Sequence, residues 1–172
     1  MNNLADKIRD SEKAIAESRE NWQKKTKPLI IESLELIKDE LQLGLHVAVN
    51  DSTVNHESIY MSFGKTPSGL IYKKGDIFNE QEGRKGLIMK DGANLFYSIG
   101  FRGEVTVWMQ YPQIENILWK ENDYNEMRIV DQDKINEESI RLDVKHFLEQ
   151  VLKWNSGGIM NERVGFKQQG IE

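Results

Sequence analysis

The spacing of apolar residues changes at Gly44, and that change constrains the fold more than any other feature. Before it, apolar side chains recur every three or four positions; after it, they alternate with polar ones. Leu29, Ile30, Leu34, Ile37 and Leu41 fall on one helical face, with Pro28 suited to a first helical turn and Gly44 to a stop. The spacing therefore predicts a core helix from Pro28 to Leu43. From Leu45 onward, Leu45, Val47 and Val49, then Ile59, Met61 and Phe63, read as half-buried strands.

The segment 95–109 permits a register test. If Arg102-Gly103 alone formed the turn, Ile99 would face Thr106 and Leu95 would face Gln110, mixing apolar with polar partners. A three-residue loop, Phe101-Arg102-Gly103 with Gly103 left-handed, instead pairs Ile99 with Val105, Tyr97 with Val107 and Leu95 with Met109. The second register is expected, and it places Phe96 opposite Trp108 on the other sheet face. Thr66-Pro67-Ser68-Gly69 reads as a type I turn closing a hairpin to the segment 70–78, and Asp91-Gly92 as a second such punctuation. Short strands are expected at 117–119 and 127–130, with turn chemistry at 122–125 between them.

A closing helix follows, capped by Asn136 and burying Ile140, Val144, Phe147, Leu148, Val151 and Leu152. Asn2 to Lys25 has neither Gly nor Pro and predicts a further helix, with Ile8, Ile15 and Trp22 seven apart. The companion positions Leu4, Ser11, Ser18 and Lys25 lose their apolar character after Leu4, so a long autonomous coiled coil is not expected. The reading is an α+β fold: two N-terminal helices, a mostly antiparallel meander sheet of about six to seven strands, and one C-terminal helix. Its connections are too short for parallel crossovers. The chain divides into an N-terminal helical arm (1–27), one α+β domain (28–158) and a polar tail (159–172).

Composition bounds the function. With 23 Lys and Arg against 28 Asp and Glu, the net charge of −5 argues against a nucleic-acid binder, which needs a basic face. The apolar runs are too short to span a membrane, and Met1 opens onto Asn2 and Asn3 rather than a basic, then apolar, leader. The absence of Cys suits a reducing compartment, so a cytoplasmic address is expected.

Spacings that carry enzyme mechanisms are missing: no nucleophile elbow, phosphate loop, dinucleotide turn or zincin helix occurs. The three His, at 46, 56 and 146, read as surface residues, although His46 and His56 would approach each other if the first two strands paired. No cofactor and no metal site is expected. Gly83-Arg84-Lys85-Gly86 combines backbone freedom with paired cations, so Arg84 and Lys85 are candidates for holding a small anionic ligand.

Helix two and the closing helix cover one sheet face, which leaves Tyr60, Tyr72, Phe96 and Trp108 on the other for something else to cover. The expected function is a non-catalytic binding or accessory module of the inhibitor, immunity or subunit type. It would meet a protein partner or a second copy of itself through Ile8, Ile15, Trp22 and these aromatics. The alternative is a small-molecule or nucleotide binder, or a phosphate-ester enzyme, in which Arg84 and Lys85 hold the anion while Trp108 or Phe96 stacks a ring.

Overall fold

A computed structural model describes residues 2–51, 57–73, 85–115 and 124–156. Three helices accompany eight antiparallel strands among these residues, and the α+β reading holds. Helix α1 spans Asn2–Asn21 and α2 spans Lys27–Leu41, but the chain does not break between them. Trp22–Thr26 forms a wide π turn, and Asn21, Thr26 and Lys27 all keep right-handed helical backbone. The result is one rod of about 60 Å, at about 1.5 Å per residue. Pro28 sits in the first turn after the π segment, where its missing N–H is tolerated. Helix α2 ends at Leu41 on a left-handed Gln42 (φ 52°), two residues before the expected Gly44.

The strands are β1 (His46–Asn50), β2 (Ser58–Ser62), β3 (Lys65–Lys73), β4 (Lys85–Asp91), β5 (Asn94–Ile99), β6 (Val105–Gln110), β7 (Gln113–Ile114) and β8 (Tyr124–Val130). They form a five-stranded sheet in the order β1-β2-β5-β6-β8 and a three-stranded one in the order β3-β4-β7. The β5–β6 register is the expected one: Ile99 pairs with Val105, Tyr97 with Val107 and Leu95 with Met109. Gly103 adopts φ 92° at the predicted bulge position.

Two of the expected turns are something else. Thr66 to Gly69 lies inside β3, where the pairing with β4 slips between Pro67 and Ile71 and Gly69 has φ 82°. Ser68 Oγ donates to the carbonyl of Ile88 at 2.6 Å and accepts from the Leu70 N–H at 3.2 Å, so these residues form a bulge. Asp91-Gly92 is a kink rather than a hairpin end. Phe63 N–H donates to the Ala93 carbonyl and Gly92 N–H to that of Gly64, both at 3.1 Å, carrying the ladder from β2–β5 into β3–β4. The two sheets are thus one long ribbon bent at paired glycines. β8 covers the expected strand at 127–130 and begins at Tyr124, so Asn125 is strand rather than turn. The expected strand at 117–119, and the tail 159–172, lie outside the described residues.

Helix α3 spans Glu137–Asn155 and opens on the predicted Asn136 cap. Asn136 Oδ1 accepts from Ser139 N–H at 2.9 Å, and Ser139 Oγ accepts from Asn136 N–H at 3.0 Å. Ile140, Val144, Phe147 and Val151 are buried, whereas Leu152, expected inside, is 68% exposed. The core joins the inward residues of β2, β5 and β6 to Ile30, Leu34 and Ile37 of α2 and to α3. Within it, Arg128 holds the buried Asp143 by two hydrogen bonds, and Tyr97 Oη donates to the same carboxylate at 3.0 Å. Burial, and then the Asp143 charge, push the Tyr97 hydroxyl well above its ordinary pKa of 10.0, so it stays a donor.

Candidate functional site

The distinctive geometry of this molecule lies along α1 and the π turn that follows it. In an α-helix, residues five apart point about 140° away from each other; a π turn brings them closer to one face. Here that widening lets Trp22, Gln23 and Lys27 reach the same carboxylate. Trp22 Nε1–H donates to Glu57 Oε2 at 3.2 Å, Gln23 Nε2–H to Oε1 at 2.8 Å, and Lys27 Nζ–H to Oε2 at 2.9 Å. Burial works against the Glu57 anion as the largest single effect. The three donors together overcome it and hold the pKa below the ordinary 4.5. An ionised carboxylate with its oxygens so occupied acts as a structural anchor rather than as a proton acceptor.

One turn away, the buried Gln132 side chain fastens the rod to the sheet. Its amide nitrogen donates to the Ser18 carbonyl at 2.9 Å and to the Gly103 carbonyl at 2.8 Å, and its oxygen accepts from Asn21 and Thr26, each at 2.9 Å. Gly103 is required at this spot, because a Cβ there would lie 1.9 Å from Ser18 Oγ. A cleft of about 300 Å³ opens beside these anchors, lined by Arg19, Trp22, Gln23, Asp51, Glu57 and Ile99.

The same helix changes character before Ile15. Residues 3–14 are all exposed, Ile15 is half-buried and Trp22 is 1% exposed. Leu4 and Ile8 stand at 66% and 59% exposure, on a helix segment of about 20 Å that rests on nothing among the described residues. Phe101 at the β5–β6 turn is 67% exposed, with the Arg19 guanidinium 5.7 Å above its ring.

The sequence-predicted residues thus separate. Ile8 is on the exposed arm and Ile15 at its root, but Trp22 belongs to the core, where its indole donates to Glu57. Tyr60, Phe96 and Trp108 do line up across β2, β5 and β6. Phe96 stacks on Trp108 with centroids 4.0 Å apart at 8°, Tyr60 tilts against Phe96 at 5.4 Å, and Trp108 Nε1–H donates to Ser98 Oγ at 2.9 Å. All three are half-buried, and these rings cover much of one another. Tyr72 lies on β3, in the other sheet.

Arg84 lies outside the described residues; Lys85 opens β4 opposite Lys73. His46 is exposed and pairs across to Ser62, while His56 lies outside the described residues. His146 is exposed near Gln150, whereas Asp143, three residues before it, turns inward to Arg128. No group of three His, Asp or Glu among the described residues is placed to hold a metal ion, and no helix among them is long and apolar enough to cross a membrane.

Glu57, Gln132 and Phe101 were not picked out by sequence reasoning. Nothing near Glu57 in the chain signals its donors, which lie about thirty residues upstream. Phe101 had a signal, a large aromatic in a tight turn, which was absorbed into the register argument. A second concavity, about 390 Å³, runs between α2 and α3 over Ile37, Leu41, Val144, Leu148 and Leu152. Arg141 and Glu40 bridge it with two hydrogen bonds of 2.7 and 2.8 Å. No protein-family model, curated protein or solved structure matches this chain.

Proposed function

We propose that this protein is a non-catalytic protein–protein contact module whose working element is the exposed part of α1, residues 3–14. The observation that supports it most is the helical arm itself. Most helical stability in proteins comes from packing an apolar stripe. Here Leu4 and Ile8 carry that stripe with no surface among the described residues beneath them. A partner that covers the stripe stabilises both the arm and the complex. The row Tyr60, Phe96, Trp108 is a secondary surface of the same kind. A chain without Cys suits such work in a reducing compartment such as the cytoplasm.

The test is the native mass of the chain together with whatever purifies on it, compared with that of the Leu4→Asp, Ile8→Asp double variant. The expected result is a mass above 20.0 kDa that the variant loses while its melting temperature stays within about 2 °C of the parent. Equal masses for the two would remove the reading.

A further inference from the structure

We infer that the groove between α2 and α3 is the seat of this chain's own C-terminal segment, residues 157–172, with Ile159 and Met160 set against Leu148 and Leu152. This seat is separate from the arm of α1 and does not depend on the function proposed for it.

The groove follows from one row of side chains on α3. Val144, Leu148 and Leu152 stand four residues apart, each about 40° round the helix from the last, so they form a single apolar row. Exposure rises along it: Val144 is 2% exposed, Leu148 is half-buried and Leu152 is 68% exposed. The row leaves the core as it nears the end of the helix, which is why Leu152 fits the apolar pattern of α3 and yet lies outside. It lines the concavity of about 390 Å³ whose other wall is Ile37 and Leu41 of α2, and which Arg141 and Glu40 bridge toward the start of α3. The apolar wall is therefore most exposed where α3 ends.

That is also where the C-terminal segment starts. Residues 157–172 follow Ser156, which closes the last turn of α3 by donating its N–H to the Leu152 carbonyl at 3.0 Å. Along the helix, Leu152 lies about 6 Å and Val144 about 18 Å back from Ser156. An extended chain covers about 3.3 Å per residue, so about eight residues, two of them for the reversal, bring it back level with Val144. The sequence supplies Gly157-Gly158 at the point of reversal, where either hand of backbone must be accessible. Ile159 and Met160 come next and fall beside Leu152 and Leu148; Val164 and Phe166 have the reach to meet Val144, Ile37 and Leu41.

Tethering favours this occupant over any other of equal contact. A segment held by a short linker meets the groove at an effective concentration in the millimolar range, so a second copy or another protein at micromolar concentration competes at about a thousandfold disadvantage. Charge does not oppose the docking. The segment carries Glu162, Glu172, Arg163 and Lys167, and the groove rim carries Glu40, Glu149, Arg141 and Lys145, two of each sign on either side.

The experiment uses the full chain, which contains no Cys of its own, with a nitroxide on Gly165→Cys. The methyl resonances of Ile37, Leu41, Val144 and Leu148 are expected to broaden, while that of Leu4, on the arm of α1, stays sharp. The broadening should persist when the labelled chain is mixed with an excess of unlabelled chain. Adding Ile159→Asp, Met160→Asp should restore sharp signals. A synthetic peptide of residues 157–172 should bind the Ile159→Asp, Met160→Asp chain at least about tenfold more tightly than the parent, because in the parent the tethered segment already fills the groove.

Groove signals that stay sharp in the labelled parent would overturn the inference. So would broadening that survives both Asp substitutions, or equal peptide affinity for the two chains. Broadening that vanishes in excess unlabelled chain would overturn it in favour of a segment exchanged between copies.

Discussion

The two halves of α1 share composition and helix type but differ in everything that holds them. From Ile15 onward the rod is anchored by Gln132, Gly103 and Glu57, with Trp22 sealed in the core. Before Ile15 the same helix carries exposed Leu4 and Ile8, and its ion pairs, Asp6 with Arg9 and Lys13 with Glu17, are solvated. Such pairs contribute about 0.3–0.5 kcal/mol at most, so they do not hold the arm. The contrast teaches that continuity of a helix says little about where its stability comes from. One half is fixed by its own chain; the other has no such anchor among the described residues, and our proposal is that a partner supplies it.

The largest expected effect falls on the anchored half. Trp22→Ala removes a fully buried indole and one donor to Glu57, and should lower stability by about 3–5 kcal/mol in denaturant titration. Gly103→Ala meets Ser18 within the same contact at a left-handed backbone position, and should cost about 1–3 kcal/mol. If it proved neutral, the close approach of α1 to the β5–β6 turn would be wrong.

Glu57 sharpens the comparison through pH. Its folded pKa lies below the ordinary 4.5, so its stabilisation is complete above that value and is lost as pH falls through the folded one. Glu57→Gln should therefore be less stable than the parent by about 1–2 kcal/mol at pH 7. The gap should close as the pH drops below about 4.5. A gap that stayed constant with pH would mean that the Glu57 charge does not matter. The smallest effect is expected on the exposed half: Leu4→Asp, Ile8→Asp should leave the body's denaturant midpoint unchanged when measured dilute, because neither side chain is buried against the described residues.

The legible parts of the fold were those in which local chemistry and pattern agree. The β5–β6 register followed from alternation, which only the three-residue loop ending in Gly103 satisfies, and Asn136 announced α3 with a cap. The misread parts were those in which one local chemistry serves two structures. Pro67-Ser68-Gly69 fits a turn and a bulge equally well, and what decides is the continuing ladder to β4, some twenty residues away. The π turn was hidden for the same reason, since the Glu57 carboxylate that its residues share with Lys27 is distant in sequence.

The site divides along the same line. Ile8 and Ile15 could be read from spacing, whereas the exposure of Phe101 required the fold.

Hydrogen exchange along α1, at low and at high protein concentration, tests the difference between its halves most directly. Amides of residues 5–13 should exchange freely when the chain is dilute and become protected as it assembles, while residues 16–30 stay protected throughout. Protection of 5–13 that is the same at both concentrations, or absent at both, would contradict the claim that this half of the helix is completed by another molecule.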